Sequence, residues 1–243
     1  NRHMRSILLA LPLLLAACQS ASPGKSASPS VRFATYNTSL YADADGGLVA
    51  RLEAGDKNAR RIAAVIQQQR PDVLLLNEFD YDDRHAAADI FQRDFLEAGQ
   101  FGQAPIHYPY RYLAPVNTGV PSGMDLDRNG KIAGGNDAFG FGLHPGQYGM
   151  LVLSRFPIDA DAVSTFQMLA WKDLPGAASP MDPATGVAWY PPDVWAQLRL
   201  SSKSHWDVPI KTPLGSIHFL VHHPTPPVFD GPEREVRELV VEE

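Results

Sequence analysis

The sequence predicts an α/β domain, and two observations carry that prediction. The first is an ordered strand, helix and strand between residues 31 and 76, the pattern of a crossover that covers one face of a sheet. The second is a later buried strand at 150–153, followed by a hairpin-like pair at 206–211 and 217–221. The chain has 243 residues, of which 44% are hydrophobic and 20% charged, an ordinary globular composition with enough length for one large domain.

The first strand and helix are predicted from their periodicity. Apolar side chains alternate with others over residues 31–36, which is typical of a strand. Asp56 is a suitable N-cap for a helix, and apolar residues then recur at helical spacing, at Ile62 and Ile66. Pro71 ends this amphipathic helix.

The remaining elements follow in order along the chain. Residues 73–76 are apolar on both faces, which predicts a central strand, and residues 86–97 form a second amphipathic pattern. Two long segments, 100–147 and 170–193, are rich in glycine, proline and aromatic residues, and loops of that length usually have a function. A turn at 213–215 joins the strands of the terminal hairpin.

The N-terminus reads as a processing segment. Residues 1–17 combine Arg5 with a short apolar run, and the run ends directly before Cys18, the only cysteine. This resembles a bacterial lipoprotein signal, which implies cleavage before Cys18, lipidation of its sulfur and membrane attachment at the cell envelope. Gln19 favours the outer membrane, facing the periplasm. The alternative is an ordinary export signal with an incidental cysteine. Residues 18–30 are rich in serine and proline and predict a tether before a domain at 31–243.

Charge and cysteine content narrow the classes of function. The formal charge is −6, which argues against broad electrostatic binding of long nucleic acid. Phosphate chemistry stays open, because a bound divalent cation supplies local positive charge. A single cysteine excludes an intrachain disulfide. No oligomeric state is predicted.

Asn37 and Glu78 are the leading candidates for metal ligands. Each follows a predicted strand, where polar side chains of neighbouring strands gather. Hard cations such as Mg²⁺ take oxygen ligands, often only one or two of them from protein. The alternatives are a turn-forming asparagine and a surface acid at a strand end.

Two basic residues are candidates for contact with a phosphate. His223 follows the last predicted strand and is placed to donate to a phosphate or leaving oxygen. Alternation sends His222 and His223 to opposite faces, and periodicity does not choose between them. Arg155 follows the strand at 150–153 and is a candidate for phosphate binding, with a structural role as the alternative.

A calcium-loop pattern occupies residues 125–130. Asp125, Asp127 and Asn129 precede Gly130 at the spacing of the first half of such a loop. Position twelve is Asn136, where the full motif has a bidentate glutamate. The sequence therefore predicts either a calcium site at these three residues or a hydrogen-bonded turn.

Four segments together resemble the endonuclease/exonuclease/phosphatase superfamily, the DNase I-like metal-dependent phosphoesterases. They are TYN at 35–37, LLLNE at 74–78, GMLVLSRFPI at 149–158 and HFLVHH at 218–223. The resemblance implies a sandwich of two mixed β-sheets flanked by helices. It also implies Mg²⁺ or Mn²⁺ at Glu78 beside Asn37, a catalytic role for His223 and a phosphate-ester substrate.

The resemblance also implies motifs that are not found after His223, namely Gly-Asp-x-Asn and a later Ser-Asp-His. We therefore expect the N-terminal part of a phosphodiesterase, nuclease or phosphatase, incomplete at the C-terminus and of little activity as this fragment. The alternative function is a non-catalytic surface lipoprotein that uses the same scaffold for binding through its long loops.

Overall fold

The computed structural model describes residues 29–182 and 184–224. Its strands are β1 (Phe33–Leu40), β2 (Val73–Phe79), β3 (Tyr110–Tyr112), β4 (Met150–Ser154), β5 (Ser164–Thr165), β6 (His205–Thr212) and β7 (Gly215–His222). Its α-helices are α1 (Gly47–Glu53), α2 (Lys57–Gln69), α3 (Ala86–Ile90) and α4 (Pro192–Trp195). The predicted signal at 1–17, the lipidation site Cys18 and most of the tether lie outside the described residues.

The larger sheet has the strand order β1-β2-β4-β3. β1 and β2 are parallel and are connected through α1 and α2, as the strand-helix-strand pattern predicts. β4 is antiparallel to both β2 and β3, so the sheet is mixed. Since β2 has a hydrogen-bonded strand on each side, its prediction as a central strand is confirmed.

A second sheet, β5-β6-β7, is antiparallel and packs face to face against the first. The predicted hairpin is β6 and β7, with Trp206 opposite Val221. The side chains between the sheets form one buried apolar cluster, whose buried members are Val73, Leu75, Val116, Met150, Val152, Trp206, Val208, Ile210 and Val221. The prediction of an α/β sandwich of two sheets is confirmed.

Helices cover the other face of the larger sheet. Leu74 and Leu76 point to this side, into a cluster with Ile62 and Ile66 of α2. The alternation of β2 between the two clusters explains why its sequence is apolar on both faces.

α2 begins as its sequence predicts. Oδ1 of Asp56 accepts hydrogen bonds from the backbone N–H groups of Asn58 and Ala59, both at 2.8 Å. Arg51 Nε of α1 donates to the other carboxylate oxygen at 2.9 Å, and Nη2 lies 2.9 Å from the same oxygen. The cap therefore also joins α1 to α2.

Three elements differ from the sequence prediction. β1 extends to Leu40, beyond the predicted end at residue 36. α1 has no counterpart among the elements predicted from the sequence, and it forms because Leu48 and Leu52, one turn apart, are both buried. The predicted helix at 86–97 is split into α3 and a π-helical segment, Phe91–Leu96. The wider turn of this segment leaves backbone carbonyls that accept hydrogen bonds from the buried Gln67 side chain.

The two long loop segments pack against each other. Their buried side chains and that of Leu198 form a third apolar cluster, Met124, Leu126, Trp171, Tyr190 and Leu198. Asn117 of the first segment also contacts the chain on both sides of the second, donating from Nδ2 to the carbonyls of Gln167 at 2.8 Å and Ser201 at 2.7 Å. These loops therefore have a small core of their own. Within the described part of the chain, no helix has the length and apolar character needed to cross a bilayer.

Candidate functional site

Three of the predicted site residues meet at one end of the sandwich. Asn37 lies near the end of β1 and Glu78 near the end of the parallel strand β2. His223 directly follows β7 of the second sheet. The two sheets therefore contribute to one group of polar side chains, with the Glu78 carboxylate at its centre.

The contacts to Glu78 involve both carboxylate oxygens. Asn37 Nδ2 donates to Oε1 at 2.7 Å, and Ser39 Oγ donates to Oε2 at 3.2 Å. His223 Nε2 lies 3.6 Å from Oε1, a close approach that is longer than a normal hydrogen bond. The side chains of Glu78 and His223 are 23% and 15% exposed, so both are accessible from one side only.

These contacts stabilise the charged form of Glu78. The neighbouring His223 imidazole is the largest cause, and together with the Asn37 and Ser39 hydrogen bonds it outweighs burial and lowers the pKa of Glu78 from 4.5 to about 2. The carboxylate is therefore ionised throughout the neutral range, as a ligand for a cation must be.

The backbone of Glu78 decides which way its side chain points. Leu74 and Leu76 face the helices, so strict alternation would place Glu78 on the helix side and Phe79 between the sheets. Phe79 instead packs on the helix side. Glu78 has φ 55°, a left-handed conformation that interrupts the alternation and turns the carboxylate toward His223.

A buried carboxylate two residues beyond Glu78 supports the site. Asp80 accepts the backbone N–H of Ala42 at 2.8 Å and that of Tyr148 at 3.0 Å. Burial raises the pKa of Asp80 from 3.8 to about 6, although these hydrogen bonds oppose the increase. His144 Nε2 lies 4.0 Å from Asp80 Oδ2 and 3.0 Å from the Ala42 carbonyl. The sequence shows an acidic residue close behind Glu78, but it does not show that this residue is buried or which backbone groups it binds.

Two tyrosines that sequence reasoning missed lie beside this group. The rings of Tyr41 and Tyr148 pack with centroids 4.5 Å apart and planes tilted by 60°. Burial raises the pKa of Tyr148, and the nearby Tyr41, Asp43, Asp80 and Glu78 raise it further. Tyr148 therefore lies within the electrostatic field of the Glu78 carboxylate.

The structure does not bring Arg155 to this site. β4 runs antiparallel to β2, so Met150 is opposite Asn77 near Glu78, whereas Ser154 is opposite Val73. Five residues of strand separate the two ends by roughly 16 Å. Arg155 instead donates to Asp72 at 3.1 Å, so the predicted phosphate contact has no geometric support at Glu78.

The structure also distinguishes the two histidines. His222 is exposed on the outer face of the second sheet and stacks on His205, with ring centroids 5.5 Å apart. His223 is the one that approaches Glu78.

A second group of acids lies in the loop segment. Asp125, Asp127 and Asp137 each offer a carboxylate oxygen within 4.8 Å of the others. Asn129 donates its backbone N–H to both Asp125 and Asp127, as in the turn that the sequence pattern predicts. Asp137, one residue beyond motif position twelve, was missed; it is buried and accepts the backbone N–H groups of Leu126 and Ala133.

Comparison with known proteins assigns the family. Residues 34–242 match the family model of the Endonuclease/Exonuclease/phosphatase family, and the chain belongs to that family. A search of curated proteins returns no match.

Two solved structures are similar to this chain. One is an endonuclease/exonuclease/phosphatase from Beutenbergia cavernae DSM 12333, with 19% identity, a TM-score of 0.41, and coverage of 82% of this chain and 38% of that one. The other is an endonuclease/exonuclease/phosphatase family protein from Leptotrichia buccalis C-1013-b, with 14% identity, a TM-score of 0.39, and coverage of 88% and 62%. The chain thus spans less than two thirds of the length of either structure.

Proposed function

We propose that this chain carries the metal-binding part of a metal-dependent phosphoester hydrolase, a phosphodiesterase, nuclease or phosphatase. Family membership supports the phosphoesterase class. The observation that carries the proposal is the meeting of Asn37, Glu78 and His223 from two sheets around one ionised carboxylate.

The residues present fit a hard divalent cation such as Mg²⁺ or Mn²⁺. Glu78 supplies an ionised carboxylate, and Asn37 supplies an amide oxygen in addition to the N–H group that it donates to Glu78. The adjacent Asn77 has a buried Oδ1 without a hydrogen-bond partner among the described residues. A cation held by Glu78 and Asn37 would neutralise charge on a phosphate ester.

The protein groups then have separate roles. Asn37 and Ser39 fix the two oxygens of the Glu78 carboxylate, so the ligand is oriented before a cation binds. His223 is placed to donate a hydrogen bond to a phosphate oxygen or a proton to the leaving oxygen. Among the described residues, one histidine and one carboxylate form the centre of this group, so we expect little turnover from this chain and take metal binding as the first readout.

The direct test is titration of the chain with Mn²⁺, followed by the paramagnetic relaxation of water protons. Glu78→Gln removes the charge at nearly constant shape, and we expect at least a tenfold loss of affinity, within the range typical of altered metal sites. Glu53→Gln, an exposed glutamate at the end of α1, is the matched control and should bind as the wild type does. Equal affinity in Glu78→Gln and the wild type would refute the assignment.

The alternative, a non-catalytic surface lipoprotein, is favoured by one feature of the long loops. Several apolar side chains there are exposed although the loops have a core, including Val187 (64%) and Ile132 (61%). This alternative predicts that an Ile132→Ser, Val187→Ser double variant loses binding to its partner while Glu78→Gln retains it. Both functions include attachment to a membrane through Cys18, and we propose that this membrane belongs to the bacterial cell envelope. Cys18→Ser should release the protein from the membrane fraction.

Calcium at Asp125, Asp127 and Asn129 stays a prediction, now with Asp137 as a further carboxylate. A calcium titration that raises the thermal stability of the chain, and protects residues 120–140 from protease, would support it. No change in either measurement would remove it.

A further inference from the structure

We propose that Tyr41 and Tyr148 form an aromatic contact surface for the organic group of the substrate, and that the substrate is a phosphate monoester or diester carrying a planar ring, as a nucleotide does. The inference rests on the proposed function, because it needs a phosphate held at Glu78. Beyond the proposed function, the inference specifies the kind of organic group that the phosphate carries.

The two rings lie beside the end of β2. Leu40, which precedes Tyr41, is paired with Phe79, and the N–H of Phe79 donates to the carbonyl of Gly149, which follows Tyr148. Tyr41 thus directly follows β1, on one side of β2, and Tyr148 lies two residues before β4, on the other side. Their rings meet at the end of β2 that carries Glu78.

A hydrogen-bonded frame holds both tyrosines. Asp80 accepts the backbone N–H of Tyr148 and that of Ala42, the residue after Tyr41. The Ala42 carbonyl accepts from the side chains of His144 at 3.0 Å and Gln147 at 2.8 Å. A rigid aromatic surface loses little conformational entropy when a ligand packs on it.

The fold does not explain why residue 148 is a tyrosine. Tyr148 has φ 55°, a conformation that glycine or asparagine adopts with less strain. Neither tyrosine belongs to the apolar clusters of the described chain, and both rings are partly exposed. A bulky residue kept in a strained conformation at a site mouth points to contact with a ligand.

Ser39 and Glu78 share this backbone feature. Their φ values are 48° and 55°. At this end of the sheet, left-handed backbone is therefore found at three residues, Ser39, Glu78 and Tyr148. Ser39 and Glu78 are joined by a hydrogen bond, and both belong to the proposed metal site. A left-handed backbone conformation therefore orients both the proposed metal-binding carboxylate of Glu78 and the neighbouring ring of Tyr148.

Charge narrows the class of substrate. The Tyr148 hydroxyl lies in the field of Asp43 and Glu78, whose negative charges disfavour a second anionic group beside the rings. The surface therefore suits a neutral ring, or one that carries amino groups, on a substrate with a single phosphate. Stacking of a nucleobase on an aromatic side chain commonly changes affinity by about tenfold or more.

The test compares three probes by calorimetry with the full chain in Mg²⁺: adenosine monophosphate, ribose phosphate and inorganic phosphate. We expect the wild type to bind the nucleotide about tenfold more tightly than the other two. Tyr148→Asn should lose that preference while its affinity for inorganic phosphate is unchanged. Asparagine tolerates the left-handed conformation, so the variant should also unfold at a temperature no lower than the wild type.

The matched control is Phe101→Asn, which replaces an exposed aromatic residue at φ 46° next to α2. It should bind all three probes as the wild type does. Tyr41→Leu, at a residue without positive φ, provides a second variant with the same expected loss if Tyr148→Asn does not fold.

The outcomes separate this inference from the proposed function. If the wild type binds all three probes equally, or if both tyrosine variants retain the preference for the nucleotide, the inference fails and the phosphate site stands. If the wild type binds none of the probes, the proposed function fails and the inference fails with it. A preference lost in the tyrosine variants and kept in Phe101→Asn supports both.

Discussion

Asp80 should make the stability of this protein rise as the pH falls from neutral toward about 5. Its pKa is raised by burial from 3.8 to about 6 in the folded state. At a pH between these two pKa values, Asp80 holds a proton in the folded protein that it has released in the unfolded chain. The stabilisation is therefore complete below the unfolded pKa and is lost as pH rises through the folded pKa. Asp80→Asn removes this titration and leaves one of the two backbone acceptors in place.

The magnitude follows from the two pKa values. Their difference corresponds to about 3 kcal/mol over the complete titration, at 1.36 kcal/mol for each pKa unit. Between about pH 7.5 and about pH 5 only part of that is gained, about 1.4 kcal/mol, because the titration is not complete at the lower pH. There the folded group is mostly protonated, but the carboxyl of the unfolded chain is still mostly ionised. The Asp80 side chain is 8% exposed, so solvent screening reduces this value little.

Urea unfolding at several pH values, in the presence of a chelator, measures the effect. The buried Trp171 and Trp206 provide a fluorescence signal for unfolding. The free energy of unfolding of the wild type minus that of Asp80→Asn should grow by about 1.4 kcal/mol on acidification to about pH 5. Other titrating groups, such as His205, are present in both proteins and cancel in this difference. A difference that is constant over the range, or that shrinks, would refute the reasoning.

Two further predictions concern the frame that holds the site. Asp56→Ala removes the α2 cap and should lower the free energy of unfolding by about 1–2 kcal/mol, whereas Asp94→Ala, which breaks an exposed pair, should cost at most about 0.5 kcal/mol; equal losses by urea unfolding would contradict the capping role. A Cβ at Gly119 would lie 1.8 Å from the carbonyl oxygen of His144, so Gly119→Ala should destabilise by more than about 3 kcal/mol. Gly102→Ala, also at positive φ but with open space around it, should cost only about 1 kcal/mol by thermal unfolding, and similar losses in the two variants would argue against the close approach.

Local patterns identified the elements that depend on short-range chemistry. Asp56 and the spacing of Ile62 and Ile66 located α2 at its observed N-terminus. The apolar run of β2 was predicted as central because both of its faces needed burial, which the structure confirms. The π-helical turn at Phe91–Leu96 was not predictable in the same way, because it depends on Gln67, which is 28 residues from the carbonyl of Phe95.

At the site, the candidate ligands and the family could be read from the residues alone. Asn37, Glu78 and His223 were identifiable because polar residues at strand ends form local patterns that a family motif preserves. Arg155 fitted the same pattern, yet the antiparallel direction of β4 places it at the far end of the sheet, and strand direction is set by long-range pairing.

The orientation of these residues depends on the three-dimensional fold. The left-handed backbone at Glu78 turns its carboxylate toward His223, against the alternation that the strand sequence predicts. Tyr41, Asp80 and Tyr148 come together because three strands end at one place, while in the sequence they are up to 107 positions apart. A side chain's direction and partners depend on the packing of distant segments, which is why residue identity was readable from the sequence and the geometry of the site was not.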